Sequence, residues 1–405
     1  MPSRTEMSRP SAPAIADDPY SRENLSEPHS FYSRLRAAGP AAWLDAYGVH
    51  AFGRDREVRT ILEDHQTFIS GAGVGPVDIH RHPPLRTPGI LEVDPPIHTR
   101  MRHAMDAVIA PARLRARRKD FAVYAKTMLD EVIGAEDGHF DAHSLAQAYV
   151  LRVFGDAVGI PRHGREENLP AQGAANFATF GPQNETAREW ISAAEGTYGW
   201  VLENCARENL HPSGMGAQLW EFADSGDISA EEATLLVRAL LSAGLDTTIF
   251  AITNTLRALS LHPEQYARLH AQPQTVKYAI DEAFRFDSPF ASFYRTTACD
   301  TVVSGVSLPA GSKVLVFPGS ANRDESKWGE DAHLFRWDRD ASGHLTFGMG
   351  IHKCVGQPIS RMEMDVLLMA FVAGVSRLEP TAPSTPLVHT TLRSHTSVPL
   401  RAVPA

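Results

Sequence analysis

Cysteine is scarce in this sequence. Its 405 residues include three cysteines, Cys205, Cys299 and Cys354, and no two of them have the C-x-x-C spacing that is typical of zinc sites. The sequence therefore predicts neither a disulfide framework nor a structural zinc site. So few thiols are typical of a protein in a reducing compartment, and we expect a cytoplasmic protein.

The sequence also lacks the segments that mark export, membrane insertion or nucleic acid binding. Its first residues are rich in proline and serine and contain no apolar stretch like that of a signal peptide. Residues 1–17 are therefore predicted to form a disordered N-terminal arm. No run reaches the ~20 apolar residues of a membrane span, so no membrane association is expected. The formal net charge of −9 argues against a nucleic acid partner.

Most of the sequence is patterned for helices. Residues 30–39 and 55–65 show helical spacing on either side of a predicted hairpin that turns near Gly48. Helical patterns dominate residues 97–285. Within this region, residues 231–262 form the longest pattern and are apolar nearly all round at their centre. This predicts one continuous helix that passes through the protein core.

A smaller part of the sequence is patterned for strands. β-Branched residues alternate with turn residues over positions 295–318, and the C-terminal residues show a similar pattern. We therefore predict a mainly α fold with a minor β part, which forms one domain over residues 18–405.

A basic run follows the start of the helical region, between residues 98 and 120. On residue types alone it has two interpretations, a solvated helix face or a docking patch for an acidic partner. The run contains Arg100, Arg102, Arg113, Arg115, Arg117, Arg118 and Lys119.

The segment from Phe347 to Gly356, with the sequence FGMGIHKCVG, carries the clearest chemical signal. The Phe-Gly-x-Gly part forms a tight turn whose backbone can approach a flat, bulky group. Cys354 comes just before a predicted helix, where backbone N–H groups favour a thiolate that can bind a metal or act as a nucleophile. A lone cysteine is more often a small buried residue, but the surrounding decapeptide favours a functional thiol.

A polar interruption occurs at the centre of the longest helical pattern, where residues 243–248 read AGLDTT. A glycine weakens a helix, a buried aspartate is costly, and threonine hydroxyls bend the backbone ladder. This predicts a functional role for Asp246 and Thr247. The alternative is a polar kink whose side chains satisfy one another.

Two pairs at helical spacing complete the set of motifs. Glu282 and Arg285 are three residues apart, and His98 and Arg102 are four residues apart, so each pair lies on one helix face. Alone, the first pair would be an ordinary ion pair and the second a solvated basic face.

Together and in this order, the four motifs resemble those of the cytochrome P-450 family of heme-thiolate monooxygenases. The resemblance extends over nearly the whole chain and includes residues 32–40 and 321–328, although the decapeptide around Cys354 is its most specific part. It implies the cytochrome P-450 fold, in which heme b lies between the long central helix and the helix that follows Cys354.

The resemblance implies a role for each residue near the heme. Cys354 would be the thiolate ligand of the heme iron, which promotes O–O cleavage, and Glu282 with Arg285 would brace the core near the cysteine loop. Phe347 would pack beside the sulfur, and Gly348, Gly350 and Gly356 would let the loop lie against the macrocycle. The heme propionates would be held by His98, Arg102, Arg295 and His352.

Asp246 and Thr247 match the acid and alcohol of the family. By resemblance they relay the protons that O2 activation consumes. The sequence contains no flavin or iron–sulfur motif, so the electrons are expected from NAD(P)H through a ferredoxin reductase and a [2Fe–2S] ferredoxin. An acidic ferredoxin raises the weight of the docking-patch interpretation of the basic run.

Within the family, the sequence resembles bacterial enzymes that oxidise para-substituted benzoic acids, including O-demethylation of 4-methoxybenzoate. By this resemblance Phe177, Phe180 and Phe293 sandwich the substrate ring, Ala243 lies beside the iron, and Arg86 helps to neutralise the carboxylate. Serines expected near Arg86 are absent, and Phe290 is bulkier than the aliphatic residue expected there. The substrates that agree with these residues are a para-substituted benzoic acid and, as the alternative, a neutral phenolic or aromatic methyl ether.

Two further activities are compatible with a cysteine-ligated heme. A non-catalytic heme sensor would keep Cys354 but needs no proton relay, so Asp246 and Thr247 argue against it. A peroxygenase would not depend on Thr247 for peroxide-driven turnover.

Overall fold

A computed structural model describes residues 12–405, and residues 1–11 of the predicted N-terminal arm lie outside the described residues. Ala14–Ile15 form a strand, β1, that pairs in parallel with Ala42–Leu44. The prediction of a disordered arm is therefore wrong for this part, because main-chain pairing fixes its backbone.

Helices make up most of the described chain, as predicted. The longest, Pro111–Gly134 and Gln357–Gly374, pack against each other. In chain order the helices are α1 (Arg22–Ser26), α2 (His29–Ala37), α3 (Asp55–Glu63), α4 (Ile97–Val108), α5 (Pro111–Gly134), α6 (Ala142–Val158), α7 (Arg165–Ala178), α8 (Glu185–Ala193), α9 (Thr197–Glu203), α10 (Met215–Asp224), α11 (Ala230–Ala243), α12 (Asp246–Leu261), α13 (Pro263–Ala271), α14 (Val276–Phe286), α15 (Pro318–Ala321), α16 (Glu325–Trp328) and α17 (Gln357–Gly374).

Short strands form the minor β part. After β1 they are β2 (Ala42–Leu44), β3 (Val49–Phe52), β4 (Phe68–Ile69), β5 (His139–Asp141), β6 (Phe293–Thr297), β7 (Thr301–Val303), β8 (Val306–Leu308), β9 (Lys313–Val316), β10 (Val375–Pro380), β11 (Thr385–Pro386), β12 (His395–Ser397) and β13 (Pro399–Pro404). The largest sheet has the strand order β1-β2-β3-β9-β6-β4, in which β2 and β3 form the hairpin predicted near Gly48.

The longest apolar stretch is two helices and not the single helix predicted for residues 231–262. The break falls at Gly244 and Leu245, between α11 and α12. A Cβ at Gly244 would overlap the ring of Phe154 on α6, so the glycine lets α6 approach the break. By length and composition alone, Ala230–Leu261 could cross a membrane, but 72% of its most apolar part is buried in the protein interior.

The ion pair of Glu282 and Arg285 braces the region beside the cysteine loop. Both side chains are fully buried, and the two nitrogen–oxygen distances are 2.7 Å. The remaining guanidinium hydrogens are donated to three backbone carbonyls, and Glu282 accepts the backbone N–H of Arg336. The pair therefore ties α14 to the segment that leads to the loop. The three carbonyl acceptors belong to Asn322, Ala332 and Leu334.

Candidate active site

A central cavity of about 260 Å³ lies between the α11–α12 break and the loop that ends at Cys354. Its walls also include residues of α4, the end of α7 and the segment that leads into β6. Nearly all the residues predicted for the active site line it. They are Arg86, His98, Arg102, Phe177, Phe180, Ala243, Thr247, Phe290, Phe293, Arg295, Phe347, Gly348, His352, Cys354 and Gly356.

Cys354 is accessible from this cavity but is otherwise surrounded by protein. Its backbone N–H donates to the carbonyl of Phe347 at 2.8 Å, which closes the loop. Burial raises the pKa of the thiol, and the backbone N–H groups of Gly356 and Gln357 offset this only in part. The backbone N–H groups at the helix start thus favour the thiolate, as predicted, but desolvation is the larger effect.

Phe347 lines the central cavity, as Cys354 does, and packs against neighbouring side chains. Its ring centroid lies 4.5 Å from that of Phe284 on α14 and 5.5 Å from that of His344. The Arg361 guanidinium of α17 lies 5.2 Å from its ring centroid. These contacts join the loop to both helices, so they fix the position of Cys354 relative to the cavity.

The three glycines of the loop have different environments. Gly348 and Gly356 line the central cavity, and Gly348 has a φ of +66° that other residues rarely adopt. Gly350 has a φ of +70° but lies away from the cavity, where a Cβ would overlap the carbonyl oxygen of Leu62 at the end of α3. Gly350 is therefore needed for the contact with α3, and its role in letting the loop lie against the macrocycle stays a prediction.

Two imidazoles and a guanidinium converge at one end of the cavity. The rings of His98 and His352 are 4.3 Å apart, and the buried Nε2 of His352 has no hydrogen-bond partner. Burial and the nearby Arg295 lower the pKa of His352 to about 2. Burial also lowers the pKa of Arg295 to about 10. The Arg295 guanidinium donates a hydrogen bond to the carbonyl of Tyr294. Its other N–H groups and the Nε2 of His352 are therefore available for a bound acceptor at this end of the cavity.

Arg102 faces the same end but is already engaged with the cysteine loop. Its guanidinium donates to the carbonyls of Ile351 and Lys353, at 3.1 and 2.5 Å, and pairs with Asp106. Arg102 thus links α4 to the loop on either side of His352.

On the opposite side of the cavity, Thr247 and Asp246 begin α12. The Thr247 hydroxyl lines the cavity and donates to the carbonyl of Ala243 at 2.8 Å. Asp246 is 3% exposed and does not line the cavity. Its Oδ2 has no hydrogen-bond partner, and burial raises its pKa well above the usual range. The two side chains therefore point to different places, although they are adjacent in sequence.

Four phenylalanines form an aromatic wall. Phe177 contacts Phe180 and Phe290 at centroid distances of 5.9 and 5.7 Å, and Phe290 contacts Phe293 at 5.6 Å. The structure thus brings together the four rings that the sequence predicted for the substrate pocket. Their edge and tilted packing is that of aromatic rings in direct contact.

Arg86 is already engaged by other side chains, so it is less available to bind a substrate carboxylate than the sequence suggested. It forms a buried ion pair with Glu92 and donates to the hydroxyl of Thr179 at 3.2 Å. Its guanidinium also lies 4.6 Å from the centroid of Phe180. The cavity therefore contains a carboxylate that already neutralises this cation.

Sequence reasoning missed Arg238, a second arginine in the central cavity. It is 7% exposed, and the hydrogen bond assigned to its side chain goes to the carbonyl of Thr87 at 2.6 Å. No carboxylate partner is found for it among residues 12–405. An arginine in an apolar helical stretch was the available signal.

The polar groups of the cavity fit heme b. The unpartnered Nε2 of His352 and the buried Arg295 suit two propionates at one end. Gly348 and Gly356 present bare backbone beside Cys354, which suits the face of a flat macrocycle, and the thiol suits its iron.

Comparisons with known proteins agree with this arrangement. The family model "Cytochrome P450" matches residues 214–376. Cytochrome p450 CYP199A2 of Rhodopseudomonas palustris is 42% identical over 97% of this chain and 95% of that protein. The β-dihydromenaquinone-9 ω-hydroxylase of Mycobacterium tuberculosis is 30% identical over 98% of this chain and 78% of that protein.

The fold is shared as well. The structure of cytochrome P450 CYP109Q5 from Chondromyces apiculatus has a TM-score of 0.79 at 27% identity, over 97% of this chain and 99% of that chain. A structure of cytochrome P450 CREJ has a TM-score of 0.84 over 95% of this chain and 98% of that chain, at 24% identity. On its sequence, its fold and its cysteine-lined cavity, this chain belongs to the cytochrome P450 family.

Proposed function

We propose that this P450 monooxygenase inserts one oxygen atom of O2 into a small aromatic acid, such as a para-substituted benzoic acid, by hydroxylation or O-demethylation. Members of the family bind heme b through a cysteine, and Cys354 is the cysteine that lines the central cavity. A thiolate-ligated heme supplies the activation of O2. The protein side chains determine which molecule is bound and where protons enter.

The observation that carries the proposal is an imbalance of charge at one end of the central cavity. Two buried guanidiniums, Arg86 and Arg238, face one carboxylate, Glu92, which is paired with Arg86. Arg238 also lowers the pKa of Arg86, after the larger effect of burial, so the two cations influence each other. A substrate carboxylate would supply the missing negative charge, and charge-assisted hydrogen bonds of this kind are strong.

The spacing along α11 supports a ligand with a polar group at one end. Arg238 and Ala243 both line the central cavity and are five residues apart, which is about 7.5 Å along a helix at ~1.5 Å per residue. One benzene ring with substituents at opposite ends spans such a distance. Three members of the aromatic wall, Phe177, Phe290 and Phe293, would then contact the ring of the ligand.

We assign the other predicted residues as follows. His98, Arg102, Arg295 and His352 would hold the propionates, since they share one end of the cavity. Thr247 would hold a water molecule with its hydroxyl, and Asp246 would resupply the protons that the reaction consumes. Electrons would come from NAD(P)H through a reductase and a [2Fe–2S] ferredoxin, because the chain has no redox motif apart from its cysteine loop.

The test is a titration with matched ligands, read as displacement of the water ligand on the heme iron through the spin-state change of the absorption spectrum. We expect 4-methoxybenzoate to produce the change and its methyl ester to bind at least tenfold more weakly. Arg238→Gln should weaken binding of the acid by about tenfold to a hundredfold, since hydrogen bonds to charged groups contribute ~1.5–3 kcal/mol. The ester should be unaffected.

The double variant Arg86→Gln with Glu92→Gln serves as the comparison, because it removes both charges of the buried pair, and it should weaken acid binding less than Arg238→Gln does. If no aromatic acid changes the spin state, the proposal of an acid substrate is wrong.

One observation favours a second candidate. The buried pair of Arg86 and Glu92 has no net charge, so a neutral aromatic methyl ether could bind beside it without a charged partner. In that case the ester and simple methoxybenzenes would change the spin state as strongly as the acid, and Arg238→Gln would have the same effect on both.

A further inference from the structure

The carboxyl group of Asp246 lies in a slot on α7 that exists because residue 173 is glycine. A Cβ built at Gly173 would overlap the carboxyl group of Asp246, at 2.8 Å from Cγ and 3.1 Å from Oδ1. Real Cβ atoms essentially never come within 3.0 Å of another atom, so the distance to Cγ alone excludes a Cβ without movement. Any larger residue at position 173 would therefore displace the carboxyl group.

This glycine is costly for the helix that carries it. Gly173 is buried near the middle of α7, and Pro170 lies one turn before it. A glycine in a helix interior costs about 0.5–1 kcal/mol relative to alanine. Helix stability would therefore favour alanine at position 173, and the contact with Asp246 is a reason for glycine.

On its other side, Gly173 borders a second space, here named the polar chamber. This chamber of about 480 Å³ lies between α7, α9 and α11. Its polar lining side chains include Gln172, Asn176, Tyr198 and Ser242, and the guanidiniums of Arg86 and Arg238 line it as well as the central cavity. Tyr198 is 40% exposed and Leu85, also in the lining, is 62% exposed, so the chamber reaches the protein surface.

Asp246 is thus close to two spaces without lining either. Ser242, one turn before Asp246, borders both the polar chamber and the central cavity, and Thr247 lines the central cavity. The Oδ2 of Asp246 has no hydrogen-bond partner. Burial raises the pKa of this carboxyl group, and no charged side chain of the described residues offsets that effect.

We propose that Gly173 is a positioning residue that keeps the Asp246 carboxyl group directly behind the wall of the polar chamber, which Gly173 forms at this point, so that protons reach the active site from this side of α7. The inference rests on the proposed role of Asp246 as the residue that resupplies protons. It adds the route, which passes between α7 and the start of α12, and the residue that keeps the route open.

The proton transfer is balanced as follows. The O–H bond of the neutral Asp246 carboxyl group breaks, and its proton passes to a water molecule held near the Thr247 hydroxyl. The resulting carboxylate takes a proton from water in the polar chamber, and bulk solvent replaces that proton. No electrons move in either step.

The experiment combines Gly173→Ala with Asp246→Ala in the heme-loaded protein, supplied with ferredoxin, its reductase and 4-methoxybenzoate. Gly173→Ala should lower the yield of product per NADH by about fivefold or more, with peroxide released instead. Gly199→Ala on α9 is the control, because a Cβ there meets no atom within 4 Å, and its yield should equal that of the wild type.

The double variant separates positioning from general packing. In the Asp246→Ala background the added methyl group meets no carboxyl group, so Gly173→Ala should have no further effect on the yield. Effects that multiply would show that Gly173 acts independently of Asp246 and would overturn the inference. If Asp246→Ala itself leaves the yield unchanged, the proposed role of Asp246 is wrong, and the inference is wrong with it.

An infrared measurement gives a readout that does not depend on turnover. The C=O stretch of the protonated Asp246 carboxyl group should appear in the difference between wild type and Asp246→Ala. After transfer to D2O this band should shift within seconds, because water in the polar chamber reaches the group. In Gly173→Ala the band should be displaced, whereas in Gly199→Ala it should be unchanged. A band that resists deuteration in the wild type would rule out the route.

Discussion

At the scale of single residues, Asp246 and Glu363 are buried carboxyl groups that pair with no charged side chain of residues 12–405. Asp246 begins α12 beside the central cavity, and Glu363 lies in α17, where neither carboxyl oxygen has a hydrogen-bond partner. Burial raises the pKa of both groups well above the usual range. The folded protein therefore holds protons that the unfolded chain releases near about pH 4, so these groups make stability fall as pH rises from there toward the folded-state pKa.

Glu363→Gln tests this linkage. Below the usual pKa of an unfolded glutamate, wild type and variant should respond to pH alike. As pH rises toward the folded-state pKa, the wild type should lose about 1.4 kcal/mol of its free energy of unfolding per pH unit relative to the variant. Urea unfolding of the heme-loaded protein between pH 4 and about 8 measures the difference.

Glu131→Gln, at an exposed position of α5, is the control and should show no such trend. A difference between wild type and Glu363→Gln that stays constant with pH would mean that Glu363 is ionised in the folded protein.

Substitution of Thr247 tests the proposed role of its hydroxyl in proton delivery. Thr247→Ala should lower the yield of product per NADH by about tenfold, while peroxide-driven turnover changes little, because peroxide already carries the protons that the O2 reaction must acquire. The measurement compares product, NADH consumption and peroxide release.

Thr253→Ala is a matched control, since its hydroxyl makes the same kind of bond, to the carbonyl of Ile249 at 2.8 Å, but lies outside the central cavity. Equal losses for both variants would assign the effect of Thr247 to helix geometry.

At the scale of elements, the cysteine loop is held by contacts to three helices. Gly350 contacts the carbonyl of Leu62 at the end of α3, Arg102 of α4 donates to two loop carbonyls, and Phe347 packs on Phe284 of α14. The fully buried pair of Glu282 and Arg285 holds α14 itself in place. Loss of that pair should therefore disturb the position of Cys354.

Arg285→Met should lower the free energy of unfolding by about 3–5 kcal/mol, because Glu282 would be left buried without its partner. It should also weaken retention of heme, measured by transfer to apomyoglobin. Arg268→Met removes an exposed pair with Asp338 and should cost less than about 1 kcal/mol. If the two variants lose similar stability, the buried pair is not what braces α14.

The four motifs and the aromatic wall could be predicted because each depends on residue types at short spacing or on the family resemblance. The break at Gly244 could not, because it depends on the approach of Phe154 from a distant helix. The pairing of Arg86 with Glu92 depends on how the loop folds back. The imidazole Nε2 of His389 lies 2.9 Å from the backbone carbonyl oxygen of Ala174. This contact, too, arises only from the fold.

At the scale of the whole molecule, the basic run is largely occupied by internal contacts. Arg100 pairs with Glu232, and Arg118 of α5 pairs with Asp365 of α17, the helix that follows Cys354. Arg115 and Lys119 are exposed on α5, and among the described residues neither has an ion-pair partner. The run is therefore mostly a solvated, paired face with a small free cationic patch beside α17.

The combined change Arg115→Ala and Lys119→Ala should slow reduction of the heme by an acidic ferredoxin by about threefold at low salt, since charges at the rim of an interface mainly affect association rates. The difference should vanish at high ionic strength. Lys277→Ala, at an exposed position of α14, should have no effect. Stopped-flow reduction under CO measures these rates, and equal rates for all variants at low salt would place the docking site elsewhere.

The break between α11 and α12 also has a consequence outside the active site. By length and composition alone, Ala230–Leu261 resembles a transmembrane segment, although most of it is buried in the fold. Asp246 lies at its centre, where an aspartate opposes insertion into a bilayer by about 2.5–3.5 kcal/mol. We therefore expect an apolar replacement at this position to remove both the proposed proton supply and the opposition of this segment to a bilayer.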